Sequence, residues 1–258
     1  MGKRTVFSRL IRVFCLPLAI FPLILSFRLA KARGAETAIA RARVVLVNPA
    51  AGKKPVDNSN AVVWLTPETG FENQVAGNTT AQNHRHFRVV QQHKRFEPHL
   101  LVVPVGSVVN FPNLDPFFHN VFSLFEGKRF DLGLYEAGTT HSVNFDRPGI
   151  CYIFCNIHPE MSAVVVVLKT PYYAVSNRAG EIEISGVPPG RYLLSVWHER
   201  GLPETLKSFP REVSISVTEP NLGTFRLLES GELLAPHKNK YGRDYDRPTP
   251  PSSLYEQP

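Results

Sequence analysis

The chain has 258 residues, which is long enough for one large or two small domains that each enclose a core. Its formal net charge is +7, but residues 1–32 hold six of the 29 Lys and Arg residues and none of the 22 Asp and Glu residues. The remainder carries 23 basic against 22 acidic residues. This balance gives no support for a polyanion-binding surface, so nucleic acid is not an expected partner.

Residues 1–32 have the layout of a secretory signal peptide. Four basic residues precede or open an apolar run over 13–27, and the Ala-Lys-Ala at 30–32 offers a small-residue cleavage site. The run is short for a membrane span of about 20 residues, although a retained anchor is the alternative. We therefore expect a periplasmic or otherwise extracytoplasmic protein with no stable membrane insertion once the leader is removed.

Beyond the leader the sequence predicts β-structure. Short alternating or apolar runs recur between Gly, Pro and Asn residues, and no segment shows a long helical stripe. The predicted strands are Val44–Val47, Ala61–Leu65, Leu100–Val103, Val108–Phe111, Ala163–Leu168, Glu181–Ile184, Tyr192–Trp197 and Val213–Val217. Strands at this spacing favour sandwiches or barrels, so the predicted fold class is all-β.

Two segments are polar and show no periodicity. Residues 67–83 are rich in Gly, Asn, Thr and Gln, which is typical of a linker. Residues 236–258 are polar and proline-rich, and we predict that they form a disordered tail.

The stretch Cys155-Asn156-Ile157-His158-Pro159-Glu160-Met161 places three soft metal donors within one short loop. A thiolate, an imidazole and a thioether at this spacing suit copper better than most other ions. Zinc is disfavoured because its protein sites take Cys, His and carboxylate ligands. Cys155 and His158 alone would fit a core thiol and a surface imidazole, so the prediction depends on the further donors.

A fourth candidate donor, His119, lies upstream in Phe117-Phe118-His119-Asn120-Val121-Phe122-Ser123. Two histidines and a cysteine in a trigonal plane, with a weak axial methionine, form a blue-copper electron-transfer site. The flanking phenylalanines are expected to exclude water from the ion and to tune its potential. A different metal, copper delivery and the absence of any metal are the alternatives.

These motifs resemble the cupredoxin family. The resemblance rests on the Gly-Ser-Val-Val-Asn-Phe of 106–111, on His119-Asn120-Val121, on the Pro-Gly-Ile-Cys-Tyr of 148–152 and on the loop after Cys155. It covers a domain that we place at 84–169. The two-residue gap between His158 and Met161 is similar to that of amicyanin, a cupredoxin of the methylamine-utilisation type, whereas plastocyanin has a longer gap.

The resemblance implies a cupredoxin Greek-key β-sandwich with one type 1 copper, and its ligands would be His119, Cys155, His158 and Met161. It also implies that Asn120 ties the two ligand loops together by hydrogen bonds and that the exposed edge of His158 is the electron port. Asn156, where a hydroxyl residue is common, and Glu160, beside the port, depart from the family pattern. These departures leave the potential and the partner open.

The remaining cysteines have simpler interpretations. Cys15 lies in the leader. Cys151 and Cys155 are four residues apart on a predicted strand, about 13 Å along it, which is too far for a disulfide. We expect Cys151 to face the interior as a small apolar residue.

Histidines outside the ligand set also have a structural interpretation. His84, His86, His93 and His99 are close in sequence, but such a group is more typical of a solvated linker than of a second metal site. His198 is expected to end a strand and to pack on Trp197.

A second module is predicted around residues 178–198, where two strands are joined through a Pro189-Gly190 turn. The pattern resembles the prealbumin-like β-sandwich of carboxypeptidase regulatory domains, whose opening strands would be supplied by 41–66. We therefore predict a discontinuous sandwich formed by 41–66 and 171–228, with the cupredoxin domain inserted at an exposed loop. The alternative assigns 43–65 as extra cupredoxin strands.

The functional expectation is an exported one-electron carrier that exchanges electrons with redox protein partners, whose identities the sequence does not give. The alternative is an envelope protein with a structural or carbohydrate-binding role, whose cupredoxin domain stores copper or is vestigial. Carbohydrate contact rests on the resemblance alone. An enzymatic role is disfavoured because all four donors are committed to the metal and no open position or catalytic base stands out.

Overall fold

The computed structural model describes residue 2 and residues 36–49, 56–68, 86–124, 127–218, 221–230 and 238–245. Apart from residue 2, the predicted signal peptide at 1–32 lies outside the described residues, and so does most of the predicted linker at 67–83. Within the described ranges, no helix is both long enough and apolar enough to cross a membrane.

The described chain is almost entirely β-structure, which confirms the predicted fold class. Its strands in chain order are Ala38–Val47 (β1), Val62–Pro67 (β2), Phe87–Arg88 (β3), Val90–Gln92 (β4), Arg95–Glu97 (β5), Leu100–Pro104 (β6), Ser107–Pro112 (β7), His119–Ser123 (β8), Phe130–Tyr135 (β9), Thr140–Phe145 (β10), Gly149–Phe154 (β11), Ser162–Leu168 (β12), Tyr173–Val175 (β13), Glu181–Val187 (β14), Gly190–Trp197 (β15), Arg211–Ile215 (β16) and Asn221–Leu228 (β17). One short helix, Pro203–Lys207 (α1), begins with proline at its first turn, where the missing N–H costs nothing.

Strands at the two ends of the chain pair with one another and form what we call the flanking β-unit. β1 lies between β14 and β17, and β2 lies between β13 and β15, with β16 at the far edge. Alternate residues of β1 are buried, as expected for a strand with one face on a core. Val44 and Leu46 of β1 share that core with Leu65 of β2 and Leu194 of β15, so the two sheets enclose a common interior.

The middle of the chain forms the central β-unit. One sheet has the order β6-β12-β11-β8-β9, and a second has the order β10-β7-β3. Phe111 and Phe145 from the second sheet share a buried core with Ile153 and Val165 from the first. The central β-unit is therefore a β-sandwich, and β8 and β11, which lead to the candidate donors, lie side by side within it.

β12 explains how the two units meet. Ala163, Val165 and Val167 point into the core of the central β-unit, and the intervening valines point to a third cluster. That cluster adds Val62 of β2 and Trp197 of β15. Because both faces of β12 are covered, its sequence reads as a continuous apolar run rather than as an alternating one.

Two details differ from the sequence-based expectations. The period-two pattern predicts a strand over Val213–Val217, but the observed strand β16 ends at Ile215 and excludes Ser216 and Val217. A disordered tail is predicted over 236–258, and the structure describes only 238–245 of it. These residues make hydrogen bonds with the central β-unit, including one from Tyr245 to Cys155, and the rest of the predicted tail lies outside the described residues. Residues 238–245 are held by hydrogen bonds and not by an apolar face. Their sequence therefore shows no apolar periodicity, which is why its polar composition predicted disorder.

Candidate metal centre

Three of the four predicted donors converge at one end of the central β-unit. The Nδ1 atoms of His119 and His158 are 3.1 Å apart. The Sγ atom of Cys155 lies 3.8 Å from Nδ1 of His119 and 3.6 Å from Nδ1 of His158. His119 and Cys155 are fully buried, whereas His158 is partly exposed.

The strand pairing brings these residues together. β8 and β11 are antiparallel, and Phe122 is paired with Phe154. Because the strands run in opposite directions, the residues that precede Phe122 lie alongside those that follow Phe154. His119, at the start of β8, is therefore brought close to Cys155 and the loop after it. His119 begins a strand whose five residues are all buried, so its ring is held inside the protein rather than on its surface.

The loop from Cys155 to Met161 is closed by main-chain hydrogen bonds. The N–H of Cys155 donates to the carbonyl of Met161 over 3.2 Å, and the N–H of Met161 donates to the carbonyl of His158 over 3.1 Å. Met161 is fully buried and belongs to the same apolar cluster as Cys155. The fourth predicted donor is therefore buried in the same core as Cys155.

The spacing of the three atoms fits a metal ion of the first transition row. In a trigonal site with bonds of about 2.0 Å to nitrogen and about 2.3 Å to sulfur, two nitrogens are roughly 3.5 Å apart and a nitrogen and a sulfur roughly 3.7 Å apart. The observed separations of 3.1, 3.6 and 3.8 Å are close to these values. Two imidazoles and a thiolate are also the donor set that such ions prefer.

Aromatic rings shield the cluster unevenly. The ring of Phe117 lies 5.1 Å from that of His119 and 5.7 Å from that of His158, and Phe122 is fully buried. Phe118, expected to exclude water with them, is 54% exposed. Its side chain contributes to the surface instead of covering the cluster.

The ionisation of Cys155 and His158 reflects their burial. Burial raises the pKa of the Cys155 thiol, and the main-chain N–H groups of Asn120, Ile157 and His158 oppose this only in part. Burial, followed by the nearby His119, lowers the pKa of His158. Without an ion, the thiol keeps its proton and His158 is neutral near pH 7, so an incoming cation must displace the thiol proton.

Asn120 contacts the site differently from the expectation. Its side-chain amide donates to Oδ1 of Asp131 and to the carbonyl of Gly133, both on β9, over 2.8 Å each. These side-chain hydrogen bonds anchor β8 to β9 rather than to the loop after Cys155. The main chain of Asn120 acts on Cys155 instead, because it opposes the rise in the pKa of the Cys155 thiol.

Asp115 contacts the cluster although it was not among the residues predicted from the sequence. Its Oδ2 lies 2.8 Å from Nε2 of His119, and both side chains are buried. Burial raises the pKa of this carboxyl, but hydrogen bonds from His119 and from the main chain of Lys94 and His93 outweigh burial and lower it. The one sequence signal was an acidic residue four positions before the histidine, which by itself is common.

The segment 238–245 was also missed, and we call it the C-terminal strap. The hydroxyl of Tyr245 donates to the carbonyl of Cys155 over 2.7 Å, and the N–H of Lys240 donates to Oδ1 of Asn156 over 2.9 Å. The ammonium of Lys240 lies 2.8 Å from Oδ2 of Asp131. The strap therefore packs against the backbone of the donor loop.

The two described cysteines have different surroundings. Both are buried and neither forms a disulfide, as their spacing predicts. Cys151 shares the apolar core of the central β-unit, and its sulfur accepts a hydrogen bond from the N–H of Lys128 over 3.1 Å. Cys151 is not part of the donor cluster.

The other histidines do not form a second metal cluster within the described residues. His84 lies outside the described residues. His93 occupies the turn between β4 and β5, and His99 contacts Glu199 with 2.6 Å between Nε2 and Oε2. His198 directly follows β15, and its Nε2 lies 3.1 Å from the carbonyl of Ser59.

No family model matches the chain, and no curated protein does. Among solved structures, the chain is similar to a copper-containing nitrite reductase from Thermus scotoductus SA-01, with 25% identity and a TM-score of 0.31 over 33% of this chain and 22% of that one. A purple cupredoxin from Nitrosopumilus maritimus gives 23% identity and a TM-score of 0.29 over 32% of this chain and 99% of that one. Amicyanin from Paracoccus versutus gives 19% identity and a TM-score of 0.30 over 33% of this chain and 83% of that one. This chain therefore spans about a fifth of the nitrite reductase.

Proposed function

We propose that this chain is a type 1 copper protein that carries single electrons, with His119, Cys155, His158 and Met161 as the copper ligands. The observation that carries the proposal is the convergence of two Nδ1 atoms and one Sγ atom at separations of 3.1, 3.6 and 3.8 Å. Copper bound there would supply a couple between Cu(I) and Cu(II), with the Cys155 thiolate as its strongest donor.

The donor chemistry favours copper over zinc. A structural zinc site closes its coordination with four Cys, His or carboxylate ligands. Here the three clustered donors are accompanied by the buried thioether of Met161. A weak axial thioether is typical of blue-copper sites and adds little to a zinc site.

The protein surroundings suit repeated electron transfer. His119 is fixed by a fully buried strand, and the Cys155 loop is closed by its own main-chain hydrogen bonds. Donors that stay in place in both oxidation states keep the reorganisation on electron transfer small. The three clustered donors and Met161 leave no protein-derived open position for a substrate, so the proposed role is that of a carrier rather than an enzyme.

His158 is the proposed point of electron entry and exit. It is partly exposed, whereas His119 and Cys155 have no exposed surface. Ile157 precedes His158 in the sequence, Phe118 precedes His119, and both are exposed and apolar. We propose that a protein partner covers these side chains. The partners are proposed to be redox proteins, with donor and acceptor undefined.

The domain arrangement is part of the proposal. β1 pairs with β14 and β17, and β2 pairs with β13 and β15, while none of the described pairings joins β1 or β2 to β3–β12. These pairings support a discontinuous sandwich of 41–66 and 171–228 that carries an inserted domain at 84–169. Hydrogen exchange in denaturant tests it: the amides of β1 and β17 should exchange as one group, separately from those of β11 and β12.

Export is also proposed, on the basis of the basic and apolar pattern of 1–32. The mass of the mature N-terminus tests it. A chain that begins near residue 33 supports cleavage, and an intact leader in a membrane fraction supports the retained anchor.

A redox titration of the copper-loaded full chain tests the proposed function. We expect one copper per chain and a reversible transfer of one electron per copper. Cys151→Ser is the matched control, because it alters a second buried cysteine of the same core that lies outside the donor cluster. A chain that binds no copper, or whose bound copper does not cycle, would contradict the carrier role; carbohydrate binding by such a chain would support the structural alternative.

A further inference from the structure

The carboxylate of Asp115 lies in a fixed position behind the candidate copper ligand His119. Its Oδ2 is 2.8 Å from Nε2 of His119, on the opposite side of the ring from the Nδ1 atom that faces Cys155. The side chain of Asp115 is 6% exposed and that of His119 has no exposed surface. This contact is therefore shielded from water, and its electrostatic effect is stronger than that of a surface pair.

A tight hairpin turn holds the carboxylate in place. β4 and β5 are joined by His93 and Lys94, both with φ of 54°. Two central residues with positive φ are typical of a hairpin turn whose twist matches that of the flanking strands. The N–H of His93 donates to Oδ1 of Asp115 over 2.7 Å, and that of Lys94 donates to Oδ2 over 2.9 Å.

Asn113 fixes the other side of the same segment. Its Oδ1 accepts a hydrogen bond from the N–H of Asp115 over 3.1 Å, and its amide donates to the carbonyl of Phe117 over 2.8 Å. The backbone from 113 to 117 is therefore closed on itself, and Asp115 cannot turn away from His119 without breaking several hydrogen bonds. The hairpin turn and Asn113 thus hold the carboxylate in a preformed orientation.

We propose that Asp115 is a positioning residue that sets the tautomer of His119 and lowers the reduction potential of the copper; this inference rests on the proposed function. An ionised carboxylate is only an acceptor, so the His119 proton is on Nε2 and the Nδ1 lone pair faces the cluster. The carboxylate also makes the imidazole a stronger donor. A stronger donor and a buried negative charge both favour Cu(II), the more positive state, over Cu(I).

The test compares the midpoint potentials of copper-loaded wild type, Asp115→Asn and Asp131→Asn. Asp131 is the matched control because it is also a hydrogen-bonded carboxylate near β8, but it contacts Asn120 rather than a histidine. Loss of an outer partner of a ligand changes metal affinity by about 10–100-fold. If Asp115→Asn weakens the binding of Cu(II) and leaves that of Cu(I) unchanged, the midpoint potential rises by at least about 59 mV. This is the shift that a tenfold change in affinity produces for one electron.

The outcomes separate the inference from the proposed function. A blue wild type with an Asp115→Asn variant of equal potential would overturn the inference and leave the copper site intact. An equal rise for Asp131→Asn would also overturn it, because the effect would then be one of net charge. A wild type that binds no copper would instead contradict the proposed function.

Nuclear magnetic resonance of the wild type gives a second test that needs no variant. Nitrogen shifts of His119 in the metal-free and Cu(I) chains should show a proton on Nε2 that exchanges slowly with water. A His119 ring with its proton on Nδ1 in the metal-free chain would overturn the tautomer assignment, even if Asp115→Asn fails to fold.

Discussion

Two pairs of histidines in this protein lie near carboxylates, and they are used in opposite ways. At the metal centre, the Nδ1 atoms of His119 and His158 face each other and the sulfur of Cys155. At the boundary between the two β-units, His99 and His198 line one cavity of about 260 Å³, together with Glu199. The first pair directs one nitrogen of each ring to a common point, whereas both nitrogens of each ring in the second pair contact other groups of the protein.

The hydrogen bonds of the second pair account for all of its ring nitrogens. Nδ1 of His99 lies 3.0 Å from the carbonyl of Ser162, and its Nε2 contacts Glu199. Nε2 of His198 lies 3.1 Å from the carbonyl of Ser59, and its Nδ1 accepts from the N–H of Arg200 over 3.2 Å. Rings with both nitrogens occupied stabilise the fold and have no lone pair left for an ion.

The contrast teaches how a histidine becomes a ligand. His119 has one nitrogen occupied by Asp115, and the other is left facing a thiol and a second imidazole. The two sites differ in the partner of the second ring nitrogen: at the metal centre it is another metal donor, whereas in the second pair it is a main-chain group or a carboxylate.

The largest expected effect is that of Cys155→Ser. Loss of the thiolate removes the strongest donor, so copper affinity should fall by more than the roughly 100-fold that outer partners contribute, and the visible colour should vanish. Competition against a copper chelator measures the affinity. Cys151→Ser is the control, and it should keep both properties because its sulfur lies outside the cluster.

A smaller effect is expected for Met161→Leu. The two side chains have similar volumes, so the cost in stability should stay below about 1.5 kcal/mol. Copper should remain bound, but the potential should rise because the weak axial donor that favours Cu(II) is lost. Voltammetry measures this change, and an unaltered potential would show that Met161 is a core residue without contact to copper.

The C-terminal strap provides a third test. Tyr245→Phe removes the hydrogen bond to the Cys155 carbonyl and should lower the free energy of unfolding of the metal-free chain by about 1 kcal/mol. Urea unfolding measures the loss. Tyr241→Phe is the matched control, since Tyr241 is 70% exposed and should change little; equal effects of both variants would argue against a specific role for Tyr245.

The smallest effect belongs to the second histidine pair and depends on pH. The hydrogen bond to Glu199 raises the pKa of His99 from its ordinary value of 6.5, although burial opposes this. The contact therefore stabilises the fold fully below pH 6.5 and loses this contribution as the pH rises through the raised pKa. His99→Gln should lower the melting temperature in acid more than in base.

The pKa of His198 is shifted in the opposite direction to that of His99, so its effect on stability has the opposite dependence on pH. Burial lowers its pKa to about 4, so falling pH works against the fold between 6.5 and that value. This cost is present in the wild type and in His99→Gln alike, so it cancels in their difference. A difference between the two that is constant across pH would contradict the assigned role of His99.

The fold class and the candidate donors of the Cys155 loop could be predicted from periodicity and local spacing in the sequence. The all-β fold follows from short apolar runs, and the donors of the Cys155 loop lie within seven residues of one another. His119 could be predicted because aromatic residues and Asn120 surround it. The assignment of all four donors as copper ligands, and the insertion of one domain into another, stay predictions.

Contacts between distant parts of the chain could not be predicted in the same way. Tyr245 is 90 residues from Cys155, and Glu199 is 100 residues from His99. Asp115 is near His119 in sequence, but its orientation depends on two N–H groups of a hairpin turn more than 20 residues earlier. Such contacts leave no periodic pattern, because each is made by single residues that the folded topology brings together.

The central claim is that two imidazoles and one thiolate bind copper in a trigonal site. Visible absorption and electron paramagnetic resonance of the Cu(II)-loaded full chain test it most directly. The account predicts an intense visible band from thiolate-to-copper charge transfer and a narrow copper hyperfine splitting, both absent in Cys155→Ser. A colourless protein that nonetheless holds one Cu(II) per chain, with the wide splitting of a nitrogen and oxygen site, would contradict it.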